Sequence, residues 1–148
     1  MPAAPRFLTA DMVLMIHQRV LDEYGGSAGL RDQGLLESAV AVPAATFGGK
    51  FLHDGLPAMA AAYLFHLCKN HPFVDGNKRA ALATAILFLY LNDHVLKAKN
   101  DSVERLTTGV ADGSVSKEAA TAFFKKHVQK TVVKKKAPRR KPRKRPPR

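Results

Sequence analysis

The chain has 148 residues and a formal net charge of +12, enough length for one domain with a real core. The charge is lopsided: eleven of the 24 Lys and Arg lie at or beyond Lys130, where none of the 12 Asp and Glu occurs, so the body is near neutral with 13 basic and 12 acidic residues. One cysteine, Cys68, excludes an intramolecular disulfide framework and suits a reducing compartment. Residues 1–10 lack the apolar stretch of a secretory signal, and the apolar run at 80–91 is shorter than the roughly 20 residues that span a bilayer. The expected localisation is cytoplasmic.

In chain order, Thr9 predicts an N-cap for a first helix to Tyr24, with Val13, Ile16, His17, Val20, Leu21 and Tyr24 on one face and Gly25-Gly26 as the stop. A short second helix starts near Asp32, carries Leu35, Leu36, Ala39 and Val40, and ends at Pro43. Residues 47–55 hold glycines at either end and aromatics within, the pattern of a loop or small hairpin. Pro57 opens a third helix whose apolar face is Met59, Tyr63, Leu64 and Leu67. The fourth, about 77–92, is apolar all round over 80–91 except at Thr84, which places it at the centre of a helical bundle. Asp101 and Glu104 have the form of a capping box for a fifth helix. Ser116 caps a last helix, with Ala119, Ala122, Phe123 and Val128 expected inward. From Thr131 onward the chain has almost no apolar surface to bury and is expected to be disordered. The expected organisation is a helical domain over 1–129 and a Lys/Arg/Pro-rich tail over 130–148.

The densest chemistry lies in His71-Pro72-Phe73-Val74-Asp75-Gly76-Asn77-Lys78-Arg79, directly before the buried helix. A loop feeding a helix N-terminus is a place to hold a polyphosphate. An imidazole, with its ordinary pKa near 6.5, takes a hydroxyl proton at neutral pH, so His71 is the candidate base. Asp75 is the candidate Mg²⁺ ligand, because that ion takes one or two carboxylates plus phosphate oxygens and water. Gly76 lets backbone amides approach an anion. Asn77, Lys78 and Arg79 fall in the first helical turn, where cations oppose the helix dipole unless an anion over-compensates them. Phe73 is expected to anchor the loop in the core. His17, His53, His66 and His94 lack such company and read as core-edge or surface histidines; Cys68 reads as a small buried side chain. Walker-type and Rossmann glycine motifs are absent.

This loop resembles the signature of the Fic/Doc superfamily, H-x-F-x-[DE]-G-N-x-R. A second stretch, residues 24–39, is similar to the Doc-type Y-G-G-x-x-G-x-R-D-x-x-L-L-E-S-A, and Pro43, Phe47, Gly48, Gly49 and Val115-Ser116 continue the likeness over about 7–128. Two positions depart from the Fic form H-P-F-x-x-G-N-G-R-x-x-R: Lys78 replaces its second glycine and Leu82 its last arginine. Those departures are the ones the Doc branch shows. The resemblance implies an all-α Fic/Doc bundle around a buried central helix, with a small β-hairpin flap. It also implies a toxin kinase of a toxin–antitoxin pair, moving the ATP γ-phosphate to a hydroxyl of a translation elongation factor. In that reading His71 is the base, Asp75 holds Mg²⁺, and Gly76 (by its backbone), Asn77, Lys78 and Arg79 hold the ATP phosphates. The self-inhibitory form [ST]-x-x-x-E-[GN] fails because Ala119 follows Ser114 and Glu118, so inhibition is expected from a partner antitoxin. The alternatives are a Fic-type AMP-transferase, and a non-enzymatic module whose basic tail binds nucleic acid or acidic partners without reading sequence.

Overall fold

The computed structural model describes residues 4–131; of the tail expected to be disordered, Lys130 and Thr131 are described and are hydrogen-bonded in or beside a strand, and the rest lies outside that range. Six α-helices carry the described chain: α1 Ala10–Tyr24, α2 Gln33–Ala41, α3 Leu56–Asn70, α4 Asn77–Leu91, α5 Asn100–Asp112 and α6 Lys117–His127. Two antiparallel pairs complete it, β1 Thr46–Phe47 with β2 Lys50–Phe51, and β3 His94–Leu96 with β4 Val128–Lys130. The architecture is the expected all-α bundle with a small hairpin.

Local chemistry starts and stops most of these helices as the sequence indicates. Thr9 Oγ1 accepts the Met12 amide at 3.2 Å, Asp32 Oδ1 accepts Leu35 at 2.9 Å, and Ser116 Oγ accepts Ala119 at 3.0 Å. Pro57 lies in the first turn of α3. Gly48 and Gly49, both at positive φ (59° and 78°), turn the β1–β2 hairpin, because a two-residue turn with both φ positive matches the strand twist.

α3 packs most extensively, against α4 and α6, and α4 also meets α1. α3 and α4 therefore form a central pair. Tyr63, Phe73, Phe88 and Phe124 are among the largest fully buried side chains, and the Tyr63 hydroxyl accepts the Leu8 amide at 2.9 Å. One edge of α4 reaches solvent, since Ile86 and Tyr90 are exposed. Cys68 is buried, which pushes its thiol up to about 11 and leaves it inert.

Four local expectations are corrected. No capping box forms at Asp101: α5 starts one residue earlier, no side chain caps it, and Asp101 sits in its first turn, where its charge suits the helix dipole. In α6, Ala120 and Phe124 face the core while Ala119 and Ala122 are exposed, because the large ring outweighs the methyl groups in choosing the buried face. Tyr24 is exposed. The β3–β4 pair was not expected at all, and β4 crosses the boundary drawn between 129 and 130. The Thr131 amide then donates to the Asp93 carbonyl at 2.8 Å. Among the described residues no helix is long and apolar enough to cross a membrane.

Candidate active site

The loop between α3 and α4 is held by neighbouring backbone and by the side chains of Arg31, Asn77, Asp75 and His17. His71 closes α3 in the left-handed conformation (φ 50°, ψ 56°), its amide donating to Leu67 O at 3.2 Å. A non-glycine residue at positive φ is strained and persists only where its surroundings hold it. Arg31 does the holding: Nε donates to the His71 carbonyl at 2.7 Å and Nη2 to the Asn70 carbonyl at 2.8 Å. These bonds occupy the His71 backbone and leave its imidazole exposed.

The two motifs that are far apart in sequence meet here. Residues 26–32 run across the signature loop as a strap. The Arg31 and Asp32 amides donate to Pro72 O at 2.6 and 3.1 Å, Val74 N donates to Gly29 O at 3.0 Å, and Leu30 and Phe73 form an antiparallel bridge. Ser27 N donates to Asp75 Oδ2 at 3.0 Å and Gly76 N to Asp75 Oδ1 at 2.9 Å. The Ser27 bond, then that of Gly76, holds the exposed Asp75 carboxyl below the usual carboxylate range. Gly26 is required at this crossing: its φ is 123°, and an added Cβ would lie 2.8 Å from Asp75 Oδ2.

Each site residue named from the sequence has a distinct place. Gly76 is the N-cap of α4 in the left-handed conformation (φ 77°), and no side chain caps that helix. The opening turn of a 15-residue helix thus faces the loop with backbone amides and no capping oxygen. Asn77 is buried, and both ends of its amide are used within the loop: Oδ1 accepts Phe73 N and Nδ2 donates to Phe73 O, each at 2.9 Å. What Asn77 can offer an anion is its backbone N–H. Lys78 and Arg79 are exposed and diverge. The Arg79 guanidinium lies over the Tyr24 ring, 4.1 Å from its centroid. Lys78 lies on the side of Lys69 and Asp112; the Asp112 carboxyl is held down first by the Ser114 hydroxyl and amide, then by those two lysines.

Asp75 can serve a hard cation. Its two oxygens each take one N–H, and a carboxylate has about four acceptor positions, so a lone pair remains on each oxygen. Among the described residues no cluster of three or more His, Cys, Asp or Glu could hold a metal by itself. The fit is that of Mg²⁺ shared between one carboxylate, phosphate oxygens and water.

Sequence reasoning missed two residues beneath the loop. His17, read as a core or surface histidine, stacks on Phe73 (centroids 3.7 Å apart, planes at 3°), and its Nε2 lies 2.7 Å from Asp75 O. Leu21 sits beside it, 3.5 Å from where a Cβ on Gly76 would be. The one signal was a histidine on the apolar stripe of α1.

The arrangement defines a helical protein that presents an exposed imidazole and a carboxylate beside an uncapped, cation-flanked helix N-terminus. Residues 7–89 match the family model described as "Fic/DOC family". A protein named Toxin Doc from Mycolicibacterium smegmatis (strain ATCC 700084 / mc(2)155) is 47% identical over 78 residues, 53% of this chain and 60% of that protein. Protein kinase doc of Escherichia phage P1 is 32% identical over 111 residues, 75% of this chain and 86% of that protein. The chain belongs to the Fic/Doc family. Its match to the mycobacterial relative spans less than two thirds of that protein's length.

Proposed function

We propose that this chain is a Doc-type toxin kinase that moves the γ-phosphate of ATP onto a hydroxyl of a protein, with a translation elongation factor as the acceptor and an antitoxin chain as its inhibitory partner. The observation that carries the reading is the loop itself. An exposed His71 and an ionised Asp75 flank the open N-terminus of α4, with Lys78 where an AMP-transferring enzyme would leave the space of a glycine. The names Toxin Doc and Protein kinase doc, borne by the two relatives, support the same reading.

In this mechanism the His71 imidazole accepts the proton of the acceptor hydroxyl. The freed oxygen bonds to the γ-phosphorus, the bond from that phosphorus to the β–γ bridging oxygen breaks, and ADP leaves with the electron pair. Amides of the first α4 turn, Lys78 and Arg79 bind and orient the phosphates, and Arg31 keeps His71 aimed. Asp75 would hold Mg²⁺, which when bound neutralises charge on the phosphate oxygens. The basic segment beyond Lys130 adds a salt-sensitive affinity for nucleic acid, independent of the chemistry.

The test is the mass of the product. Elongation factor incubated with the full chain and Mg-ATP is expected to gain one phosphate. A gain of AMP would replace this reading with the transferase one, and no gain with any translation factor would remove the acceptor assignment.

A further inference from the structure

The residue beneath the loop has a role that the loop's own chemistry does not assign. A carbonyl oxygen only accepts, so the 2.7 Å contact between His17 Nε2 and Asp75 O places a proton on Nε2. The same ring lies flat on Phe73, itself 1% exposed, and His17 is 5% exposed. One side chain therefore fixes the loop at two points, the aromatic anchor at 73 and the peptide that joins Asp75 to Gly76. That peptide matters because both functional ends of the turn leave from it: the carboxylate on one side, and the first amides of α4 on the other. The Asp75 carboxylate is fixed from above by Ser27, whereas its main chain is fixed from below by His17.

We propose that His17 is a positioning residue for phosphate and Mg²⁺ binding, setting the Asp75–Gly76 turn through its Nε2–H bond and its stack on Phe73. The proposal rests on the reading of this loop as a phosphate site. Imidazole suits the task because it is flat enough to stack and carries a donor in the plane of the ring. Phenylalanine supplies only the first property and glutamine only the second. Leu21, which packs against the same turn, supplies neither.

The experiment uses the full chain and two variants, His17→Phe and His17→Gln, with Mg-ATP as the titrant. His17→Phe keeps the stacked face and loses the donor. It should stay folded with near-normal melting yet bind Mg-ATP about 10–100-fold more weakly, as outer-shell substitutions at metal sites typically do. KM for Mg-ATP should rise more than kcat falls, and His17→Gln should recover part of the affinity. Amide hydrogen exchange should quicken at Phe73, Val74, Gly76 and Ala80, whose amides are hydrogen-bonded within the turn, and stay unchanged in α3 and α5. Equal affinity and equal exchange in His17→Phe would overturn the proposal. So would quicker exchange spread over the whole core, which would mark His17 as a packing residue only. Nitrogen NMR of the unmodified chain gives an arm that needs no variant: protonated Nε2 is expected, with a shift on adding Mg-ATP, and an unprotonated Nε2 would overturn the assignment. If the unmodified chain fails to bind Mg-ATP, the phosphate reading fails by itself, while the exchange and NMR arms still judge whether His17 sets the turn.

Discussion

Two groups of histidines in this molecule share the residue type and differ in everything that surrounds it. His71 projects from a loop whose backbone is tied down by Arg31 and the strap at 26–32, and its ring is exposed. His53 and His66 lie half-buried where the chain after the hairpin, α3 and α6 converge. Lys117 Nζ is 2.9 Å from His66 Nε2, and His53 Nδ1 is buried without a hydrogen-bond partner among the described residues. In the loop, backbone groups and the side chains of Arg31, Asn77 and His17 absorb the structural work, and the His71 ring stays free. In the second cluster the side chains themselves are part of the packing. A histidine becomes a candidate for chemistry when its support comes from elsewhere.

The sharpest way to break this comparison is His71→Ala. Loss of a general base typically lowers the rate about 10²–10⁴-fold. The exposed ring fills no core space, so melting should shift by less than about 2 °C, in line with surface substitutions. Phosphate transfer measured beside a thermal melt decides it. Near-normal turnover would remove His71 as the base, and a collapsed melting temperature would place it with the packed histidines.

Arg31→Ala tests whether the support is separable from the chemistry. The substitution removes two hydrogen bonds from a guanidinium to the Asn70 and His71 carbonyls and frees His71 from its left-handed conformation. The expected loss is about tenfold in kcat, since misaimed catalytic groups lose rate steeply. Stability should fall by only about 1 kcal/mol, because the bonds are exposed to water. Single-turnover rates with saturating Mg-ATP make the measurement. An unchanged rate would show that the loop holds His71 without the strap.

Much of the loop was legible because its chemistry is local: a base, a carboxylate, a glycine and two cations within nine residues, followed by an apolar helix. Thr9, Asp32, Ser116 and Pro57 marked helix starts for the same reason, since a cap acts on the next turn. What the sequence hides is what acts at a distance. His17 reaches Asp75 across 58 positions, and only a polar residue on the buried stripe of α1 hints at it. The residue type at Asn77 pointed to phosphate, whereas its amide is used by Phe73 four residues back. The β3–β4 pair consists of three-residue strands too short for a period-2 pattern, one of them beside the basic tail. In α6 two apolar stripes compete, and only the packed partner helix selects Phe124.

The smallest expected effect belongs to the second cluster and appears in acid. Burial, then the nearby Lys117 ammonium and His53, push His66 from its ordinary 6.5 down to about 4. The folded chain therefore resists a proton that the unfolded chain accepts. As pH falls from 6.5 to about 4 the unfolded state gains that proton alone, so stability declines through this window and the loss levels off below it. Taken whole, the shift would correspond to about 3 kcal/mol, but the group is half-exposed and water screens much of it, leaving about 1 kcal/mol. His66→Gln keeps an acceptor for Lys117 and removes the titration. Its melting temperature should fall less than that of the unmodified chain over this window, by about 3–5 °C. A residual slope is expected from His53, whose pKa burial and Lys117 lower in the same sense. Asp75 and Asp112, held low by their hydrogen bonds, lose their contribution only as pH drops through and below the ordinary carboxylate range, near 3.9. Phosphate transfer near pH 7 should be the same in both proteins, since this cluster contributes nothing to the loop. Parallel melting curves across pH 6.5 to 4 would mean that His66 is solvated well enough to titrate normally, and the contrast between packed and presented histidines would then rest on geometry alone.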